Sequence, residues 1–115
     1  FANDNHYGIY LEYRDNNNIT GNIANSNKDD GINIYRSNYN IITKNNVNRN
    51  SDGIYLNRCS KNIITKNIVN NNTVGISFYS SSYNTISNNI LIGNNDCFTE
   101  NENCFENIFE NNNCG

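Results

Sequence analysis

The sequence predicts a right-handed parallel β-helix of about five stacked coils, and three observations carry that prediction. Gly8, Gly31, Gly53 and Gly75 recur at intervals of 23, 22 and 22 residues, and Cys97 takes the next place 22 further on. Self-similarity at such a period marks units that bury an apolar face only when stacked. The apolar runs are two or three residues long and alternate with polar ones, which is strand periodicity and not helical. Asparagine supplies 32 of the 115 residues and, with Gly, Thr, Ile and Val, disfavours helix. Coils of 22 or 23 residues do not fit a six-residue left-handed triangle, and parallel crossovers are right-handed as a rule.

Within each coil the first strand follows the Gly column, with apolar pairs Ile9 and Leu11, Ile32 and Ile34, Ile54 and Leu56, Ile76 and Phe78. A third apolar column is Ile19, Ile42, Ile64, Ile86 and Phe109, and a fourth is Ala24, Val47, Val69, Leu91 and Cys114. Asparagine fills the columns between them: Asn17, Asn40, Asn62, Asn84, Asn107; Asn22, Asn45, Asn67, Asn89, Asn112; and Asn5, Asn27, Asn50, Asn72, Asn94. Asn suits corners because it tolerates left-handed backbone and bonds its neighbours. At the strand spacing of about 4.8 Å, equivalent Asn side chains also bond one another up the stack. The reading is a single domain over residues 1–115, with coils starting near Gly8, Gly31, Gly53, Gly75 and Cys97.

SDGIYLNRCSKNIITKNIVNNN (51–72) and YNTISNNILIGNN (83–95) resemble the repeats of the NosD-like, carbohydrate-binding and sugar-hydrolase β-helix family of the pectin-lyase-like superfamily. The resemblance implies the fold for coils one to four closely and for the fifth loosely. It implies function only broadly, since repeat residues are scaffold; such families include polysaccharide lyases, polygalacturonases, epimerases and surface proteins without demonstrated chemistry. Copper, which the family name suggests, wants a His, Met or Cys cluster that the sequence does not supply.

Charge placement points elsewhere. All eight Lys and Arg lie between Arg14 and Lys66, while Asp96, Glu100, Glu102, Glu106 and Glu110 crowd the last coil. Along a solenoid axis this predicts a rod with a mildly basic start and an acidic end, complementary end to end. Phe1 and Ala2 occupy the places of Asn113 and Cys114 in the repeat frame, so the ends share one angle about the axis and an open filament could propagate. No helical cap pattern is present to shield the terminal edges. The chain, without Met or leader, reads as a mature or excised product. No run is long and apolar enough to span a bilayer, and the acidic balance without a basic stripe argues against nucleic acid.

Cys59, Cys97, Cys104 and Cys114 lack zinc-site spacing, and their even number predicts disulfides in an extracellular chain. Cys97 or Cys104 bonded to Cys114 fits the last coil, leaving Cys59 free or bonded to another subunit. Among carboxylates, Asp30, Asp52 and Asp96 share the column before Gly, with Asp29 beside them. Adjacent coils place Asp30 and Asp52 about 5 Å apart, a spacing suited to glycoside hydrolysis or a Ca²⁺ site. KDDG (28–31) and NSDG (50–53) look somewhat like polygalacturonase motifs, but the His-Gly and Arg-x-Lys elements that accompany them are missing, and His6 is the sole histidine. Tyr10 and Tyr55 share an outward column, and Tyr13, Tyr35 and Tyr79 another; both are sugar-stacking candidates. Asn18 and Asn71 head glycosylation sequons. The expectation from sequence is therefore a non-enzymatic extracellular subunit that stacks head to tail into a fibre. The alternative is a carbohydrate-binding or polysaccharide-processing β-helix domain of a larger surface protein.

Overall fold

The computed structural model describes the chain from Phe1 to Gly115 as an all-β solenoid in which every strand pairing is parallel. Each coil contributes a longer strand and a shorter one. The longer strands are β1 (Ile9–Glu12), β3 (Asp30–Tyr35), β5 (Asp52–Asn57), β7 (Val74–Tyr79) and β9 (Asp96–Asn101). The shorter are β2 (Asn18–Thr20), β4 (Ile41–Thr43), β6 (Ile63–Thr65), β8 (Thr85–Ser87) and β10 (Ile108–Glu110). They stack in sequence order as two sheets, β1-β3-β5-β7-β9 and β2-β4-β6-β8-β10. Single bridges along Ile23, Asn46, Ile68, Ile90 and Asn113 make a third, narrow face. The body measures 29 × 29 × 24 Å, a squat prism in place of the rod expected from sequence. No helix is long and apolar enough to cross a membrane.

The four apolar columns point inward, and their middle members, from Ile32 to Leu91, are almost completely buried. The Gly column exists for space. Gly31 and Gly53 do not have positive φ, but a Cβ on Gly53 would sit 2.5 Å from the Gly75 carbonyl oxygen and overlap the Val69 side chain.

Asparagine ladders run as expected. Asn45 donates from both its backbone N–H and Nδ2 to Asn67 Oδ1 at 3.0 Å, and Asn67 repeats this toward Asn89 at 2.9 and 3.0 Å. From Asn40 onward each ladder Nδ2 also reaches back one coil to a backbone carbonyl, as Asn67 does to Ile42 at 2.9 Å. No buried side-chain polar atom is left without a partner, as burial of so much amide requires. One detail differs from expectation: the left-handed residues are not the ladder asparagines. At the asparagine corners they are the residues immediately before the ladder Asn, among them Tyr39, Lys44, Arg49 and Lys61 with φ of 57–58°, and a further set, among them Arg36, Arg58 and Ser80, precedes the Ser37–Cys59–Ser81 column. The ladder Asn turns its amide inward, while its predecessor absorbs the corner and projects outward.

The last coil closes the stack differently. Phe98 and Phe109 pack at 4.7 Å between ring centroids, and Phe109 meets Phe78 edge-on at 5.7 Å. Glu100 stands in the column of Leu11, Ile34, Leu56 and Phe78, exposed and bonded by Asn107 Nδ2 at 3.0 Å. A second copy stacked on this end would bury that carboxylate, which is costly without a paired charge.

Candidate functional site

The outer face of the longer-strand sheet gathers most of the polar residues marked out by the sequence. Asp30 and Asp52 are direct register partners, and Val74 separates Asp52 from Asp96. Asn33 Nδ2 donates to Asp30 Oδ2 at 2.6 Å, and Ser77 Oγ donates to Asp52 Oδ2 at 2.6 Å. In a regular strand Asp30 and Asn33 would face opposite sides. The 2.6 Å bond shows that Asp30 is nevertheless turned to the side of Asn33.

Asp30 is 7% exposed. Burial chiefly, reinforced by the neighbouring Asp52 and Asp29 charges, pushes its carboxyl up to about 6, against the lowering effect of the Asn33 bond. Asp52 is also raised by burial, and its bond from Ser77 opposes the shift. Tyr55, between Asn33 and Ser77 in register, has its phenol raised by burial and then by the same two carboxylates. Two like charges on adjacent strands resist simultaneous ionisation, so the pair retains a proton into the mildly acidic range.

At the edge of this face His6 Nδ1 lies 2.7 Å from Asp29 Oδ2, one coil away, and the Tyr7 and Tyr10 rings stack at 5.3 Å. The sequence reading passed over His6, Asn33 and Ser77, although the 23-residue step from His6 to Asp29 places them in one column. Tyr10 and Tyr55 share one register column with Asn33 between them, and Tyr35 and Tyr79 share another with Asn57 between them; the assignment of Tyr13 to that second column is corrected, because Glu12 is the register partner of Tyr35. Tyr13 belongs to the adjacent corner position, where its ring meets Tyr35 edge-on at 5.7 Å and its Oη accepts from Arg36 at 2.9 Å.

Cys97 and Cys114 form a disulfide with Cα atoms 5.9 Å apart, and Cys104 is unpaired. Cys59 is fully buried, which corrects the idea of a bond from it to another subunit. It shares a column with Ser37, Ser81 and Cys104, and its Sγ donates to the carbonyls of Ile34 and Asn57 as Ser81 Oγ does to those of Leu56 and Tyr79. Burial pushes its thiol pKa up. Asn18 and Asn71 are both exposed. Phe1 is 97% exposed, whereas Ala2 bonds the Ile23 carbonyl at 2.8 Å and Asn113 bonds the Asn89 carbonyl at 2.9 Å.

A stacked, Asn-laddered parallel solenoid defines a β-helix repeat protein, and the family follows from comparison with known proteins. The model of the family described as periplasmic copper-binding protein (NosD) matches residues 1–114, and the chain belongs to that family. No curated protein sequence matches it. Among solved structures it is similar to the periplasmic alginate epimerase AlgG. A single-substitution variant of AlgG aligns with TM-score 0.74 at 20% identity over 94% of this chain and 38% of that one. A double variant aligns with TM-score 0.71 at 20% identity over the same shares, 94% and 38%. The unsubstituted AlgG aligns with TM-score 0.61 at 15% identity, over 90% of this chain and 40% of that one. The chain thus spans about two fifths of these proteins' length. The expectation of a non-enzymatic chain is corrected by this finding, because the structures sharing its fold are those of a polysaccharide-modifying enzyme. The periplasmic setting of the family and of AlgG agrees with the expected location outside the cytoplasm.

Copper, named in the family description, does not fit the donors of this chain. There is one histidine and no methionine, Cys97 and Cys114 are bonded to each other, and Cys59 is enclosed in the core. No three His, Cys, Asp or Glu side chains converge to hold a metal ion.

Proposed function

We propose that this chain is a polysaccharide-processing β-helix domain working outside the cytoplasm, with the outer face of the longer-strand sheet as its glycan surface. The observation that carries this reading is the Asp30–Asp52 pair: in register on adjacent strands, held by Asn33 and Ser77, with one carboxyl pushed up to about 6. Near that pH Asp30 holds a proton that it can donate, and its register partner Asp52 supplies the second carboxylate that acid–base chemistry on a sugar requires. Tyr55 beside the pair, and the stacked Tyr7 and Tyr10, offer flat faces with polar tips for sugar rings. The fold shared with an alginate epimerase supports the substrate class. If a cation takes part, Ca²⁺ suits the two carboxylates, with the sugar and water completing its oxygen shell.

This reading displaces the head-to-tail fibre. The alginate epimerase structures that share the fold favour a carbohydrate role, and the exposed Glu100 carboxylate in the inward column opposes stacking on that end.

Incubation with alginate or polygalacturonate in D₂O, followed by NMR, tests the proposal. Deuterium entering ring carbons, or new chain ends, is expected from the parent and lost in Asp52→Asn. If the folded chain neither binds nor alters either polymer, the proposal fails.

A further inference from the structure

The corner between the two sheets carries a second arrangement, away from the carboxylate pair. Tyr39, Lys61 and Tyr83 occupy one position in three successive coils, each directly before a ladder asparagine and each left-handed, with φ of 58, 58 and 60°. They project outward because Asn40, Asn62 and Asn84 turn in, buried. Tyr39 is 53% and Tyr83 59% exposed. Lys61 Nζ donates to Tyr39 Oη at 3.1 Å and lies 5.4 Å from the centre of its ring. With Asn38 and Ser60 these residues line the molecule's one surface cavity, of about 330 Å³.

Stability does not account for two tyrosines there. A bulky side chain in the left-handed region costs about 1–2 kcal/mol relative to the ordinary backbone, and rings more than half exposed regain little by burial. Neighbouring coils fill the same position with Asn16 and Glu106, so the corner itself makes no demand for an aromatic residue.

We propose that this groove binds an acidic oligosaccharide lying parallel to the solenoid axis. Tyr39 and Tyr83 are two coils apart, about 9.6 Å at the strand spacing, too far for one sugar ring but within reach of rings linked in series. The tyrosine faces suit pyranose C–H groups. Lys61 between them places one cation where a sugar carboxylate would lie, and Asn38 and Ser60 add polar partners for hydroxyls. A single cation on a chain of net charge −3 does not suit a nucleic-acid backbone, which wants a run of them. The ligand class rests on the carbohydrate reading above, but the location is independent of it, and neither Asp30 nor Asp52 takes part.

Amide chemical-shift mapping with a defined oligouronate, and with its carboxyl-reduced neutral analogue, separates the two sites. The oligouronate is expected to shift residues 38–40, 60–62 and 82–84. Tyr39→Ala with Tyr83→Ala weakens its binding about tenfold or more, while Lys61→Gln removes the preference for the acidic over the neutral sugar. The side chains are exposed, and circular dichroism is the check that the variants fold. Shifts confined to Asp30, Asp52, Tyr55 and Ser77 would overturn the groove and leave the proposed function intact. No shift at either place would overturn both.

Discussion

Asn67→Ala probes the ladder that holds the coils together. The Asn67 side chain takes part in five hydrogen bonds. Oδ1 accepts from Asn45 N–H and Nδ2, and Nδ2 donates to Ile42 O, Thr65 O and Asn89 Oδ1. Truncation leaves the Asn45 N–H without its acceptor, while Asn45 Nδ2 keeps the Ile19 carbonyl at 2.9 Å. One buried orphaned donor costs about 1–3 kcal/mol, and the remaining lost bonds about 1 kcal/mol together after exchange with water. The expected loss is therefore about 3 kcal/mol, a large share of the 5–15 kcal/mol typical of a domain. Asn67→Asp sharpens the test: it keeps an acceptor toward Asn45 but turns a carboxylate oxygen on three acceptors. It should cost more than Ala near neutral pH and recover as the carboxyl protonates. Urea unfolding followed by circular dichroism measures both, with the exposed Asn95→Ala as a control expected within about 0.5 kcal/mol of the parent. A loss below about 1 kcal/mol for Asn67→Ala, or a milder effect for Asp than for Ala, would refute the idea that the amide pattern stabilises the stack.

Asp30, raised from 3.8 to about 6, retains a proton that the unfolded chain has already released. Its contribution to stability is full below about pH 4 and lost as pH rises through about 6, on the order of 1–2 kcal/mol after discounting for solvent screening. Asp30→Asn should remove that slope and be at least as stable as the parent near neutrality, as unfolding at several pH values will show; a variant that keeps the parent's full pH slope would contradict this. Gly53→Ala should cost about 3 kcal/mol or more because its Cβ meets backbone, whereas Gly21→Ala, in open space at φ 69°, should cost about 1–2 kcal/mol from backbone strain alone; equal losses in melting experiments would overturn the distinction. Cys59→Ser should change stability by no more than about 1 kcal/mol, since Ser37 and Ser81 fill the same column and Ser81 makes the equivalent bonds, and a melting temperature far below the parent's would contradict it.

The scaffold was legible because a solenoid writes its contacts into one period. Columns 22 or 23 residues apart became strand partners, and Asp30 and Asp52, adjacent in that frame, became neighbours in space. Other pairs, His6 with Asp29 and the series Tyr39, Lys61 and Tyr83, followed the same arithmetic and could have been found by it. What the period does not encode is direction. Asp30 turns to the side of Asn33, and nothing in a count of spacings distinguishes that from ordinary alternation. The left-handed assignment shifted by one residue for a related reason: propensity favours Asn in that conformation, but the inward amide fixes Asn at the next position, and Lys, Arg or Tyr takes the strained one.

That one-residue division explains where function can reside on such a scaffold. Each interior ladder asparagine is committed to the stack through both of its amide atoms, and each inward aliphatic residue to the core, so neither is free to vary toward a ligand. The residue before each asparagine bears a conformational cost but contributes little to packing, and the outward strand positions are limited mainly by their rung neighbours. Chemistry can therefore change there without disturbing the coil. At such positions a departure from the bland choice is informative: exposed rings at Tyr39 and Tyr83 where Asn or Glu suffices, or a carboxylate as buried as Asp30 on an outer face where water was available. A scaffold that needed those residues for stability would have placed the rings in the core and the carboxylate in solvent, and it does neither.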